Sequence, residues 1–137
     1  MHRDESYGPT VLRVALGVVF MAHAWLKVVV FTIPGTVAFF ESIGLPGPLA
    51  YGVIVAEALG GAMLVLGIQV REVALVLAAI SFGASWAHAG NGWLFTNQGG
   101  GWEYPVLLAV ATFAQALMGA GAMRLPVPEF KVVAWAS

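Results

Sequence analysis

Cysteine is absent from the 137 residues of this chain. That excludes disulfides, thiol relays, thiolate metal sites and iron–sulfur clusters held by the chain itself. Redox chemistry here would have to borrow a cofactor or a partner. Charge is also scarce, at 9% of residues, against about 25% in soluble domains. So few charges cannot cover a water-facing surface of this size. With a net charge of -1 and no basic stripe, nothing points to nucleic acid as a partner. What is present instead is apolar: 60% of residues are hydrophobic, and the mean hydropathy is +0.87. The composition describes an integral membrane protein whose main partner is the lipid bilayer.

A span needs about 20 mostly apolar residues. Four segments qualify, at about Thr10–Ile33, Pro48–Ile68, Val73–Ala89 and Glu103–Met123. The expected fold class is therefore all-α: one transmembrane domain over residues 1–137, built as a four-helix bundle. Pro9 is placed to open the first helix, and Pro105 sits in the first turn of the fourth, where a missing N–H costs little. Gly67 and Arg71-Glu72 mark a tight turn, which makes the second and third spans antiparallel neighbours. Residues 34–44, with Val37, Phe40 and Ile43 at helical spacing, predict a short amphipathic helix in the interface between the first two spans. Ala22-His23-Ala24 imitates a signal cleavage site. The apolar run continues past it, however, and Arg3-Asp4-Glu5 is not a positive leader, so a retained signal-anchor helix is expected.

Arg3, Arg13, Arg71, Arg124 and Lys131 fall on one side of these spans, and only Lys27 leans to the other. The positive-inside rule then puts both termini in the cytoplasm of a bacterial inner membrane, with the two longer connections outside. The tail, residues 125–137, is expected to rest on the cytoplasmic surface, where Val132, Val133 and Trp135 suit lipid or a partner. Ala56/Gly60, Ala79/Gly83/Ala87 and Ala116/Ala120 have the four-residue spacing of small residues that lets helices approach closely.

Against this background a few polar residues stand out. Glu57 lies alone in the apolar stretch from Ile43 to Val70. A charge at mid-membrane costs roughly 3 kcal/mol on insertion scales. His23 and Lys27 are four apart and share a helix face. At about 1.5 Å per residue, Glu57 and His23 fall at matching depth with Lys27 one turn nearer the outside. His88 closes the third span beside Ser81 and Ser85, and Glu103 opens the fourth, where the helix dipole favours its charge. Glu57, His23, Lys27, His88 and Glu103 together predict an outward-facing polar pocket. The glycine-rich connection before the fourth span carries Asn91, Trp93 and Trp102, candidates for a lid over a ligand such as a quinone; interfacial tryptophans more commonly anchor a helix in the membrane. Gln115 and Thr112 are expected to form an interhelical hydrogen-bonded pair on another face. The depths of His23 and His88 differ by a dozen Å or so, too far for the two axial ligands of one haem. A metal site is not expected.

These residues resemble the DoxX family of small four-helix membrane proteins. The matching pieces run from Leu12-Arg13-Val14-Ala15-Leu16-Gly17, His23 and Lys27, through Pro34-Gly35-Thr36, Phe39-Phe40 and Gly44-Leu45-Pro46. They continue in Glu57 with Gly60-Gly61, Leu66-Gly67, Arg71, His88, Asn91-Gly92 and Gly101-Trp102-Glu103-Tyr104-Pro105. The resemblance implies that His23, Lys27, Glu57, His88 and Glu103 occupy the family's polar positions. Some relatives are named as subunits of thiosulfate:quinone or quinol oxidoreductases. It therefore implies a redox-linked role with quinone or a small sulfur compound. A non-catalytic accessory subunit of a larger respiratory or photosynthetic complex, a homo-oligomer, and a small-molecule or proton transporter are the competing expectations.

Overall fold

A computed structural model describes residues 3–130 and residue 132. His2, Lys131, Val133 and Trp135 lie outside the described residues. The described chain is all-helical: α1 (Arg3–Trp25) runs on as a π-helical turn (Leu26–Val30), then come α2 (Ile33–Ser42), α3 (Leu49–Leu66), α4 (Val70–His88) and α5 (Glu103–Met118). Three stretches are long and apolar enough to cross a membrane: Tyr7–Val30, Leu49–Leu66 and Val70–Asn91. α5 has 16 residues, about 24 Å of helix, short of a hydrocarbon core of about 30 Å. It ends at Gly119, whose φ of +83° leaves the helical region, so the helix stops five residues before the expected limit at Met123.

The other ends also have physical causes. α1 begins at Arg3, so Pro9 lies inside it rather than opening it. A proline this close to the start removes one bond where the ladder is easily replaced by solvent. The π-helical turn coincides with Val28-Val29-Val30, three β-branched residues that crowd an ordinary α-turn; it is closed by the Phe31 N–H donating to the Leu26 carbonyl at 2.8 Å. Thr32, at φ +67°, reverses the chain, and its hydroxyl accepts from the Gly35 N–H to cap α2. α3 ends in a Schellman motif: Gly67, at φ +78°, donates to Leu64 and Ile68 donates to Met63.

α1 packs against α3, α3 against α4, α4 against α5, and α5 back against α1, while α2 rests on α3 and the π-turn. The core is a run of Leu16, Phe20, Leu64, Leu77, Leu108 and Ala116. The α1–α3 contact is set by two glycines. A Cβ on Gly17 would lie 2.5 Å from the Gly61 carbonyl oxygen, and one on Gly61 would lie 2.7 Å from that of Gly17. Neighbouring Gly60 turns the other way and admits Leu77 of α4. Thr112 and Gln115 do not form the expected interhelical pair. The Thr112 hydroxyl donates to Leu108 within α5 and the Gln115 amide to Gly119 just past its end, because each finds a carbonyl four residues away.

Candidate functional site

Arg13 is 1% exposed. Its Nη1 donates to the Leu64 and Val65 carbonyls at 2.7 and 2.8 Å, its Nε to Ala120 at 2.9 Å, and its Nη2 to Met123. The guanidinium thus gathers carbonyls at the end of α3 and just beyond α5, adding a second donor to Leu64, which also accepts from Gly67. Arg71 does similar work on the Ala116 and Leu117 carbonyls. Sequence reading used Arg13 only to orient the chain and missed this role. The available signal was an arginine one turn inside an apolar span, a position that demands partners. The tail closes over the same end: Leu125 donates to Leu66, and Gln69 and Phe130 exchange hydrogen bonds. A groove of about 320 Å³ lies there between the start of α4 and the tail. Three of its charges are engaged structurally, Arg124 with Glu129 and Arg71 with the end of α5.

In the other half of the molecule stands the Lys27–Glu57 pair. Lys27 belongs to the π-turn, and its Nζ lies 2.8 Å from Glu57 Oε2 on α3. Glu57 is 5% exposed, while the Lys27 side chain keeps 20% exposure. The pair is therefore sealed on the carboxylate side and open on the ammonium side. The Thr36 hydroxyl, buried at the start of α2, lies 3.0 Å from the Lys27 carbonyl and ties the π-turn to the helix that follows. A charge-assisted contact of this length inside an apolar bundle is strong, and the loss of either partner would leave the other buried and uncompensated.

The other expected pocket residues are placed as follows. His23, one turn before Lys27, makes no hydrogen bond to Glu57; its ring stands edge-on to Tyr104 of α5 with centroids 5.9 Å apart. Glu57's direct companion is Lys27, because the ammonium reaches across to α3 while the imidazole turns to α5. His88 and Glu103 lie at the same end of α4 and α5, where His88 Nδ1 and Glu103 Oε2 are buried without a hydrogen-bond partner among the described residues. They form no ion pair with one another among the described residues. Asn91 donates to the Gly99 and Gly100 carbonyls, so its amide holds the connection in shape. Trp93 and Trp102 meet edge to face at 4.5 Å across that connection, with Trp93 57% exposed. Among the described residues no three His, Asp or Glu side chains converge as a metal site would require.

Apolar spanning helices around a buried acid–base pair define a multi-pass membrane protein with a polar centre in its bundle. The DoxX family profile matches residues 8–90, more than half of the chain, and this protein belongs to the DoxX family. Two relatives extend the comparison. A Bacillus subtilis (strain 168) protein named "Putative oxidoreductase CatD" is 34% identical over 84 residues, which is 61% of this chain and 61% of that protein. The chain thus aligns with less than two thirds of its length. An "Uncharacterized protein" of Haemophilus influenzae (strain ATCC 51907 / DSM 11121 / KW20 / Rd) is 31% identical over 136 residues, 96% of this chain and 99% of the relative. No solved structure matches this chain. Lys27, Glu57 and His88 fall within the family match, whereas Glu103 lies beyond it.

Proposed function

We propose that this protein is a redox-linked member of its family, handling a quinone or a small sulfur compound at the polar centre around Lys27 and Glu57. The observation that carries the reading is the buried ion pair itself. A well-packed apolar pair of similar volume would be as stable or more so, so a paired lysine and glutamate inside an apolar bundle is better explained by use than by packing. Glu57 can take a proton that Lys27 or a bound ligand gives up, and the partly open Lys27 can face negative charge developing on a substrate. His23, one turn away, extends the set with an imidazole that can donate or accept a hydrogen bond. The unpartnered His88 Nδ1 and Glu103 Oε2 add hydrogen-bonding capacity at the same end of the bundle. The oxidoreductase name of the Bacillus relative supports the redox assignment. In this reading α5 makes the fourth crossing and the arginine-rich end faces the cytoplasm of a bacterial inner membrane, because Arg13, Arg71 and Arg124 cluster there. Inner-membrane vesicles containing Glu57→Gln protein should lose quinone-coupled turnover while the protein stays folded; wild-type turnover in that variant would refute the assignment.

A second reading, an accessory subunit of a larger membrane complex, is favoured by α4. Gly83 has no atom within 4 Å of where its Cβ would lie, and Ala79 one turn earlier is exposed. Small residues on an open face suit close docking of another helix. Purification in mild detergent separates the readings: co-purifying subunits at fixed stoichiometry favour the second.

A further inference from the structure

The groove of about 320 Å³ at the arginine-rich end is lined by both signs of charge: Arg71 and Glu72 from the first turn of α4, Arg124 and Glu129 from the segment that follows α5. Met118 and Phe130 give it an apolar edge, with Phe130 largely exposed. It opens where the apolar stretch Leu49–Leu66 ends and the stretch Val70–Asn91 begins, so it lies at the depth of lipid headgroups. Three features leave its charges reachable. Glu72 makes no ion pair or hydrogen bond among the described residues. The Arg124–Glu129 pair keeps 48% and 38% of its side chains exposed, and an exposed pair holds its members weakly. Gly119 has no side chain; a Cβ there would stand 3.1 Å from Arg71 Nη2 and 3.3 Å from its Nε, covering that edge of the guanidinium.

We propose that this groove binds the headgroup of a zwitterionic membrane lipid that carries both a phosphate and a primary ammonium, as phosphatidylethanolamine does. The guanidiniums of Arg71 and Arg124 suit the phosphate, which takes paired N–H donors. Glu72 and Glu129 suit the ammonium, whose N–H donors need acceptors. The balance of charge selects among headgroups. The two cations and two carboxylates of the lining sum to zero, so a purely anionic headgroup would face unfavourable carboxylates. A choline headgroup carries the same charges but has no N–H to give to Glu72. The volume falls at the small end of ligand pockets, the size of a headgroup, and Met118 and Phe130 suit the start of the acyl chains. The weakly held Arg124–Glu129 pair can part, each member taking the opposite half of the headgroup. The proposal does not depend on the redox reading.

The test uses the full chain in detergent, stripped of lipid. Retained lipid is counted by native mass spectrometry after adding dioleoyl phosphatidylethanolamine, phosphatidylcholine or phosphatidylglycerol. One phosphatidylethanolamine should be held about tenfold more tightly than either of the others, the effect of one hydrogen bond to a charged group. Glu72→Gln should erase most of the preference over phosphatidylcholine and leave phosphatidylcholine binding unchanged. Arg124→Gln should weaken both lipids alike, since both carry the phosphate. Met118→Trp fills the groove without removing a charge and should abolish the preference. Val110→Phe, on the outer face of α5, should behave as the wild type does. Should Met118→Trp fail to fold, Glu72→Gln and Arg124→Gln carry the same test. Equal retention of the three lipids, strongest retention of phosphatidylglycerol, or a preference that survives Glu72→Gln overturns the proposal. So does displacement of the lipid by an equal concentration of water-soluble glycerophosphoethanolamine, which would make the groove a site for a soluble headgroup.

Discussion

Arg13 on α1 and Lys27 on the π-turn that continues it are fourteen residues apart and so close to four turns. Both reach toward α3, yet they are neutralised in different ways. Arg13 meets only carbonyl oxygens, at the ends of α3 and just past α5. Lys27 meets a carboxylate, in the interior of α3. Carbonyls cannot take a proton, and a guanidinium does not give one up, so the first cluster can only hold helices together. An ammonium and a carboxylate exchange protons and can part when a ligand competes for one of them. The comparison separates a clasp from a candidate working site, although the sequence offers both as single charges in apolar runs.

The largest effect that would test this contrast is expected at Arg13. Arg13→Ala should remove four donated hydrogen bonds and leave two helix ends unclasped. A loss of about 4 kcal/mol or more is expected, seen as little folded protein in detergent extracts. Arg13→Lys should rescue only part of it, since one ammonium cannot match the guanidinium fork. Next comes Glu57→Ala, which strands the Lys27 ammonium and should cost about 3 kcal/mol in thermal unfolding followed by circular dichroism. The double variant Lys27→Met/Glu57→Met should recover most of that stability while turnover stays lost. Recovery of both would place Lys27–Glu57 beside Arg13 as a mere clasp.

Smaller effects probe what holds the two regions in register. Gly61→Ala puts a methyl group against the Gly17 carbonyl and should push α1 from α3 at a cost of about 1–3 kcal/mol. The Lys27–Glu57 contact would lengthen with it, so turnover should fall more than the stability loss alone explains. The smallest effect is expected from Asn91→Ala. It removes two hydrogen bonds within the connection to α5 and should speed amide exchange there, at a cost of about 1 kcal/mol, without changing the melting of the bundle. A large loss of turnover in this variant would instead make the connection part of the site.

Much of the fold follows from patterning. Apolar run lengths located the helices, and Gly67 placed the turn between α3 and α4. Where the reading erred, a local backbone event decided: the Gly119 conformation shortened α5, and the three valines after Lys27 widened the last turn of α1. Periodicity does not report such events. Depth arithmetic brought His23, Lys27 and Glu57 to one level but could not say which of the two bases faces the acid, because rotation about a helix axis is set by packing. Gly17 against Gly61 and Gly60 against Leu77 fix that rotation.

By itself, then, the sequence determined the solvent, the helices and the short list of polar residues with chemical capacity. Those are properties of composition and spacing along one chain, and an apolar medium leaves little choice about them. Only the tertiary structure decided that Arg13 is a clasp, that Glu57 pairs with Lys27 while His23 stands against Tyr104, and that a charged groove opens between the start of α4 and the tail. Each depends on which faces of different helices meet, and that is settled by packing between residues far apart in the chain.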